Sequence, residues 1–459
     1  MSQEEKDQKI SELERENKAL REKIAELERR LGINSETSSK PPSSDGLKAK
    51  KRTKSLREKG KRKSGGQKGH LGQTLEQLEK ADHIINHQPV CKCVECGYDV
   101  SAVEATKIVK RQVFDIPEPR LVVTEHRVIV KECPACKAEL KGNFPVEIKA
   151  PVQYGERIKA VGMYLHHQHF IPEDRLKQAL GDLFNCPMAT GTITKTTKTL
   201  DKNLEPVIGA IISAVKSAPM KNLDETGLRV GGKTRWLHVV STETGTWYRV
   251  SEKRKDIEVL SGLKGVAVHD HWKSYYKLEG VSHALCNAHH LRELKALEEI
   301  EQESWATGMR RLLGLACDYK HRYPDGIPET IVTRIKRLYQ QILARGLEFH
   351  QCQPPLVRQN NRGRPKRRIG HNLLLRLQNY GDDVLRFLTE VNVPFTNNQA
   401  ERDLRMMKCK QKISGGFRSF DGAGAFANIR SFLSTVSKRD YNILQALTDA
   451  LKGDFTCLI

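Results

Sequence analysis

The sequence predicts a multidomain α+β protein, and three observations lead to that prediction. The chain has 459 residues, which is more than one domain usually contains. Three strand-like runs follow one another from residue 223, separated by Gly231-Gly232 and Glu243-Thr244-Gly245, where hairpin turns belong. Helical patterns dominate residues 154–220 and 291–391 on either side. We therefore expect one sheet flanked by helical regions.

The sheet is expected to continue beyond these three antiparallel strands. A short helix is predicted from about Lys255, and a fourth strand from Gly265 to Val268. The fourth strand is apolar throughout, as expected for a strand that is buried on both faces. A fifth strand, Ser282 to Cys286, and a helix from Leu291 follow.

The formal net charge of +22, from 78 Lys and Arg against 56 Asp and Glu, favours a polyanionic partner. Nucleic acid is the usual partner of such a chain, and a membrane-surface or ribosome-associated protein is the alternative. No apolar run is long enough to span a bilayer, and residues 1–31 are too charged for a signal peptide. Because no secretion signal is seen, the eleven cysteines indicate a reducing compartment and bound metal rather than disulfides.

Residues 1–32 are predicted to form a coiled-coil dimerisation helix. Ile at a positions with Leu at d positions favours a parallel two-stranded coiled coil, and a buried Asn17 would fix its register. The alternative is a solvated single helix, but opposite charges at the flanking positions favour a homodimer. The proposed seam consists of Ile10, Leu13, Asn17, Leu20, Ile24, Leu27 and Leu31.

Residues 33–80 are predicted to form a disordered basic linker. Its first part is polar and has no core-forming residues, and ten Lys or Arg lie between residues 48 and 63 with one acid, Glu58. A mobile basic arm of this kind neutralises phosphates without reading sequence, and the alternative is a solvated tail. The candidate DNA-binding residues of the arm are Lys50, Lys51, Arg52, Lys61, Arg62 and Lys63.

Two Cys-x-x-Cys pairs predict a zinc-ribbon-like DNA-binding domain over residues 81–150. The x-x spacing favours Cys93, Cys96, Cys133 and Cys136 as the four thiolate ligands, although Cys91 keeps the choice in the first pair open. Strands are predicted between the pairs, over residues 108–116 and 121–130. Four thiolates leave no open position for chemistry, so a Zn²⁺ ion here would be structural and would supply folding energy.

Residues 151–218 are predicted to form a helical domain. Helices over residues 172–184 and 192–200, joined through Asn185-Cys186-Pro187, are compatible with a helix-turn-helix. A plain helical hairpin is an equally good interpretation. His166, His167 and His169 are interpreted as ordinary helix positions.

Three carboxylates are the candidate catalytic residues and Mg²⁺ ligands. Asp224 lies on the first strand, Asp270 ends the fourth, and Glu401 falls early in a later helix that Thr396 or Asn397 would cap. Phosphodiester cleavage with an oxygen nucleophile uses two divalent cations about 3.5–4 Å apart, and Mg²⁺ prefers carboxylate oxygens.

Each carboxylate also has a structural interpretation. Asp224 and Glu225 fit turn chemistry, and Glu225 competes with Asp224 as a ligand. Asp270 would serve as a helix cap, and Glu401 with Arg405 as an ordinary i,i+4 pair. The combination favours catalysis, because two members follow strands and the third opens a helix with a basic face. That face carries the candidate DNA-binding residues Arg405, Lys408 and Lys412.

A helical insertion over about residues 291–391 separates Asp270 from Glu401 and carries a basic loop, residues 358–368. Just before it, Cys286 and His289 lie three residues apart at a helix start. Together they would bind a metal ion or brace the strand–helix junction, and bracing is the preferred interpretation.

The chain resembles the large transposase subunit of the insertion sequence 66 family, essentially from end to end. The motifs that carry the resemblance are Asn34-Ser35 with Ser38-Ser39-Lys40-Pro41-Pro42-Ser43-Ser44-Asp45, Gly65-Gly66-Gln67-Lys68-Gly69-His70, the paired cysteines, Asp224-Glu225-Thr226-Gly227, His269-Asp270-His271-Trp272, Cys286-x-x-His289 and Asn397-Asn398-Gln399-Ala400-Glu401-Arg402.

The resemblance implies a retroviral-integrase-like RNase H fold over residues 219–430, followed by a C-terminal helical segment, 431–459. The family's DDE triad falls on Asp224, Asp270 and Glu401. It also implies binding of terminal inverted repeats, donor DNA cleavage and strand transfer into target DNA, with Mg²⁺ (or Mn²⁺) as cofactor. Small companion proteins encoded by the same element are implied partners, and a bacterial, nucleoid-associated cytoplasmic location follows.

Two other function classes are consistent with the same residues. A nuclease of this fold would cut DNA without joining it. A non-catalytic zinc-containing DNA-binding regulator would keep the coiled coil, the basic arm and the cysteine pairs, and would tolerate loss of the three carboxylates.

Overall fold

The computed structural model describes residues 8–9, 12–17, 20, 75–87, 91–354, 356 and 367–455. The basic arm and most of the coiled-coil seam lie outside these residues, as do residues 358–366 of the basic loop. Asn17 is described, and it is helical and exposed. The chain divides into two compact units, residues 53–123 and the remainder, which are described separately.

In the first unit, neither residues 75–87 nor residues 91–123 contain a helix or a strand. The side-chain amide of Gln112 anchors the segment by donating to the carbonyl oxygen of Leu78 (2.8 Å) and accepting from its N–H (2.7 Å). The strands predicted over residues 108–116 and 121–130 are therefore wrong, except that Val130 begins a short strand. Val113 and Val122 are 92% and 84% exposed. β-branched residues favour strands only where one face is buried, and these side chains lack that partner surface.

The second unit begins with a hairpin of β1 (Val130–Glu132) and β2 (Glu139–Lys141), followed by four helices. The helices Glu173–Phe184 and Thr190–Asn203 correspond to the predicted helix-turn-helix or hairpin, with Asn185 in the left-handed conformation at the end of the first. His166 and His167 lie in a π-helical turn that continues α1. The four helices are α1 (Glu156–Met163), α2 (Glu173–Phe184), α3 (Thr190–Asn203) and α4 (Glu205–Ser217).

A five-stranded sheet follows, with the order β5-β4-β3-β6-β7. β3, β4 and β5 pair antiparallel, whereas β6 runs parallel to β3 and β7 parallel to β6. All five predicted strands are present. The helix predicted from Lys255 is wrong, because only the 3₁₀ turn Glu258–Leu260 forms there before positive-φ Gly262 redirects the chain. The strands are β3 (Met220–Val230), β4 (Lys233–Ser241), β5 (Thr246–Ser251), β6 (Gly265–His269) and β7 (Val281–Leu285).

Gly265 determines how β6 enters the sheet. Its φ is +77°, and a Cβ at this position would overlap the carbonyl oxygen of Pro219. That close approach allows the Val266 N–H to donate to the same oxygen at 2.8 Å, which starts the parallel pairing with β3. Only glycine combines this backbone conformation with this proximity.

The remaining chain is helical. The helix predicted from Leu291 begins four residues earlier, at Asn287, and the predicted boundary between residues 430 and 431 falls inside a helix. No described helix is long and apolar enough to cross a membrane. The helices are α5 (Asn287–Ala296), α6 (Ser304–Arg322), α7 (Glu329–Gln351), α8 (Ile369–Asn379), α9 (Gly381–Thr389), α10 (Asn398–Ser414), α11 (Phe420–Lys438) and α12 (Ile443–Lys452).

Helices cover both faces of the sheet. Side chains of α1, α3, α4, α11 and α12 pack on one face, against Leu223 and Ala267. On the other face α10 packs against Leu228, and the inserted helices α5–α9 pack against Val268. Helix α11 supplies hydrogen-bond partners to the edge strand β5. The hydroxyl groups of Ser431 and Thr435 accept hydrogen bonds from β5 backbone N–H groups at 2.9 and 3.1 Å.

Candidate active site

The parallel strands bring Asp224 and Asp270 to the same edge of the sheet. Asn222 on β3 pairs with Val268 on β6, and each aspartate lies two residues further along its chain (224 − 222 = 2 and 270 − 268 = 2). Asp224 lies on β3 and Asp270 directly follows β6, and neighbouring strands lie about 4.8 Å apart, so the two aspartates come to the same edge of the sheet. Cys286 comes directly after β7, and its N–H donates to the carbonyl oxygen of His269 at 2.8 Å. The edge therefore presents Asp224, Asp270 and Cys286 in that order.

Asp224 and its neighbour Glu225 are consecutive on β3, so their side chains point to opposite faces of the sheet. Both oxygens of Glu225 are engaged: Arg254 Nε donates to Oε1 at 2.9 Å, and the hydroxyl of Tyr275 donates to Oε2 at 2.5 Å. Asp224 accepts a hydrogen bond from the backbone N–H of Glu225 at 2.8 Å. Asp270 similarly accepts one from the backbone N–H of Trp272 at 3.1 Å. These contacts favour Asp224 over Glu225 as a metal ligand.

Asn397 connects the start of α10 to this edge. It occupies the predicted N-cap position but does not cap the helix with its side chain. Its Nδ2 donates to the carbonyl oxygen of Leu223 at 2.7 Å, and its Oδ1 accepts from Asn222 Nδ2 at 2.9 Å. Its backbone N–H donates to Cys286 Sγ at 3.1 Å. We call Asn397 and these three bonds the Asn397 latch.

The latch places Glu401 one helical turn further on, beside the aspartates. Burial raises the pKa of Asp224 well above its usual value, and the negative charges of Glu225, Asp270 and Glu401 add to the shift. Glu401 Oε1 is buried and has no hydrogen-bond partner among the described residues. A crowded set of carboxylates with an unpaired oxygen is the environment that a divalent cation stabilises, and oxygen donors suit Mg²⁺. The donor types therefore fit the cation that the sequence predicts, whereas the ligand atoms of the three carboxylates do not form a group within 4.8 Å of one another among the described residues.

A model of the protein family described as "Transposase IS66 family" matches residues 151–425 of the chain. It belongs to that family. The matched region contains the whole sheet, the inserted helices and all three candidate carboxylates. Residues 1–76 match a family of unknown function.

One similar protein is an uncharacterized protein, y4jO, of Sinorhizobium fredii. It is 35% identical over 82 residues, which correspond to 18% of this chain and 26% of that protein. The match thus spans about a quarter of that relative's length, and the relative's name describes no activity.

Within this member of the transposase family, Glu401 also belongs to a second group. The ligand atoms of Cys286, His289 and Glu401 lie within 4.8 Å of one another, and Asp224 and Asp270 are outside this group. Burial raises the pKa of Cys286 to about 12. Burial lowers the pKa of His289, against an opposing effect of Asp270. Cys286 bonds to His269 through its backbone N–H and to Asn397 through its sulfur, and its convergence with Glu401 was not predicted from the sequence.

A partly buried ion pair fixes the far side of α10. Asp403 Oδ2 accepts hydrogen bonds from Lys438 Nζ at 2.8 Å, from the Ser241 hydroxyl at 2.5 Å and from the Thr246 hydroxyl at 3.1 Å. Burial lowers the pKa of Lys438, and Asp403 opposes the shift. Since these partners lie 35 to 162 residues away in the chain, no local pattern could have identified them.

The predicted basic face of α10 is partly available to a polyanion. Arg405 and Lys412 are exposed and Lys408 is half-buried, and none of the three has an ion-pair partner in the part of the chain that the structure describes. Lys410 is instead buried, with its Nζ 4.0 Å from the ring centroid of Phe417. Burial lowers the pKa of Lys410 to about 8. The three residues chosen from the sequence remain candidates for DNA contact.

The two cysteine pairs lie in tight turns of the same form. The N–H of Cys93 donates to Tyr98 and its carbonyl accepts from Gly97, each at 2.9 Å. Cys133 makes the equivalent bonds with Ala138 and Lys137, at 2.9 and 2.8 Å. Backbone N–H groups two and three residues ahead lower the pKa of both Cys93 and Cys133. This favours thiolates, the form in which cysteine binds zinc.

Proposed function

We propose that the chain is a DNA transposase with an RNase H-like catalytic core, in which Asp224, Asp270 and Glu401 hold two divalent cations. It binds the terminal inverted repeats of its element, cleaves donor DNA and joins the freed ends to target DNA. The observation that carries the proposal is the shared register of Asp224 and Asp270 on parallel strands, with Glu401 held beside them by the Asn397 latch.

The order of the sheet supports the RNase H-like interpretation. Three consecutive antiparallel strands form one side, and two further strands continue parallel to the first of them on the other. The carboxyl ends of adjacent parallel strands are a usual location for functional side chains in α/β sheets.

In the proposed reaction, two bound divalent cations, when present, would activate the attacking oxygen and stabilise the leaving oxygen. Asp224, Asp270 and Glu401 are the residues that would hold these cations, each through its carboxylate oxygens. The backbone N–H bonds to Asp224 and Asp270 orient these carboxylates before substrate binds. Glu225 is not a proposed ligand, because its two carboxylate oxygens already accept hydrogen bonds from Arg254 and Tyr275.

DNA is the proposed substrate because of both charge and family. The net charge is +22, and Arg405, Lys408 and Lys412 continue from Glu401 along α10. The basic arm, residues 48–63, would add contacts to phosphates that do not depend on base sequence. The proposal has three further parts. The chain dimerises through residues 1–32, the cysteine pairs hold a structural Zn²⁺ ion, and small companion proteins are partners.

The deciding experiment uses labelled element ends and a supercoiled target plasmid in Mg²⁺, with wild type and Glu401→Gln compared. We expect joined product with wild type, and end binding without cleavage for Glu401→Gln. Cleavage without joining by wild type would indicate a nuclease instead. Binding with neither step, even after companion proteins are added, would indicate a regulator.

A further inference from the structure

The group formed by Cys286, His289 and Glu401 comes from three different elements. Cys286 follows β7, His289 lies in the first turn of α5, and Glu401 lies in the first turn of α10. Their ligand atoms nevertheless lie within 4.8 Å of one another. We call this group the Cys-His-Glu cluster. It shares Glu401 with the proposed catalytic carboxylates.

The polar atoms of this cluster lack partners. Glu401 Oε1 and His289 Nδ1 are both buried, and neither forms a hydrogen bond with the described residues. Buried polar atoms usually have hydrogen-bond partners, so two such atoms without partners in one small cluster are unusual. Cys286 Sγ accepts the N–H of Asn397 at 3.1 Å, and this bond also stabilises a thiolate. A cation placed among the three side chains would be coordinated by one atom of each, in a buried place where hydrogen-bond partners are lacking.

The donor set identifies the class of cation. Sulfur, imidazole nitrogen and carboxylate oxygen suit Zn²⁺, whereas Mg²⁺ prefers oxygen alone. In a tetrahedral zinc site the ligand atoms are roughly 3.5 Å apart, so the three side chains need to approach by little more than ~1 Å. Three protein ligands leave one position for water.

We propose that Cys286, His289 and Glu401 bind a Zn²⁺ ion, and that bound Zn²⁺ inhibits the Mg²⁺-dependent reaction by withholding Glu401 from the catalytic cations. Binding replaces the proton of the Cys286 thiol, which is released to solvent, so zinc affinity rises with pH. The inhibition rests on the proposed function, whereas zinc binding does not.

Zinc binding is tested by stoichiometry on the full-length protein. Wild type, Cys286→Ser and His289→Gln are dialysed against buffered zinc with a phosphine reductant, and bound zinc is measured by mass spectrometry. The matched control is Cys352→Ser, because Cys352 is an exposed cysteine outside the cluster. We expect both cluster variants to bind one zinc fewer per chain than wild type and the control. Equal stoichiometry in all four proteins would overturn the site.

A spectroscopic measurement keeps this test independent of folding defects. With Co²⁺ in place of zinc, the thiolate-to-cobalt charge-transfer band of wild type should fall in Cys286→Ser by the contribution of one thiolate. Each variant is first compared with wild type by circular dichroism. An unchanged band in folded Cys286→Ser would contradict the proposal.

Inhibition is tested with the end-cleavage assay in fixed Mg²⁺ and increasing zinc, each protein being normalised to its own zinc-free rate. We expect His289→Gln to require at least tenfold more zinc than wild type for half inhibition. Equal sensitivity would overturn the inhibitory role while leaving the stoichiometry to decide binding. If wild type cleaves no DNA under any condition, the proposed function fails, and the zinc measurements still stand.

Discussion

The sheet edge that carries Asp224 and Asp270 and the segment that carries the cysteine pairs differ in how the chain positions their side chains. At the edge, Leu223, Ala267 and Val268 are fully buried, and the strand ladder fixes the aspartates. Around the cysteines, the structure has only local turns and the short β1–β2 hairpin, and Val94 and Val123 are each 89% exposed. A packed core can hold ligands before a metal arrives, whereas a segment without a core depends on the metal for its structure.

The largest effect is expected at the edge. Asp224→Asn, Asp270→Asn and Glu401→Gln should each reduce cleavage on the order of 10³-fold or more, since each removes a proposed metal ligand. End binding, measured by gel shift, should persist. Glu225→Gln is the matched control, because that carboxylate is already paired with Arg254 and Tyr275, and it should retain cleavage within about tenfold of wild type. If Glu225→Gln were the inactive variant and Asp224→Asn active, the two assignments would be exchanged.

Removal of zinc should act on the other region alone. Cys133→Ser should lower bound zinc by one per chain and make residues 91–150 sensitive to protease, because a structural zinc supplies roughly 10–16 kcal/mol of binding free energy. Cys91→Ser should leave the zinc content unchanged if Cys93 and Cys96 are the ligands. Thermal unfolding of the sheet should stay the same in both variants. Undiminished zinc in Cys133→Ser would remove the cysteine pairs from consideration.

The Asn397 latch offers a smaller and sharper test of preorganisation. Asn397→Ala leaves Asn222 Nδ2 and the Leu223 carbonyl oxygen without their partner, so we expect a loss of about 2–3 kcal/mol in the free energy of unfolding. Cleavage should fall more than stability explains, since Glu401 is no longer held. Urea titration and saturating-substrate kinetics measure the two effects. The exposed Asn392→Ala should change neither; a latch variant with wild-type kinetics would contradict this role.

The smallest expected effect is on the free energy of unfolding at mildly acidic pH. Burial lowers the pKa of His238 to about 4, whereas an unfolded histidine has a pKa near ~6.5. As the pH falls below ~6.5, the unfolded state takes up the proton first, so His238 contributes stability above that pH and loses about 1 kcal/mol of it by pH 5.5. His238→Gln should therefore flatten the dependence of unfolding free energy on pH between 7.5 and 5.5. The exposed His126→Gln should not, and a parallel slope in both variants would remove His238 as the cause.

The sequence predicted what depends on local pattern. The five strands, both glycine-containing turns and the position of Asp270 after β6 follow from alternation and turn residues. The strands predicted around Ile108 and Leu121 are wrong. Their composition is typical of strands, but no surface is present against which their side chains could pack. The convergence of Cys286 with Glu401 required the β6–β7 pairing, which aligns Cys286 with Asp270. Had the parallel order been derived first, this neighbour of the carboxylates would have been found.

The inserted helices leave and rejoin the sheet at one point. The N–H of Asn287, at their start, donates to the carbonyl oxygen of Phe395, just after their end, at 3.0 Å. The 107 residues between them (394 − 288 + 1 = 107) thus form a closed excursion. Lengthening such an excursion costs little, because each doubling of a loop adds only about 0.6 kcal/mol of closure entropy. Helices at its outer end are therefore free to be gained, lost or exchanged during evolution while the geometry at Asp270 and Glu401 is preserved.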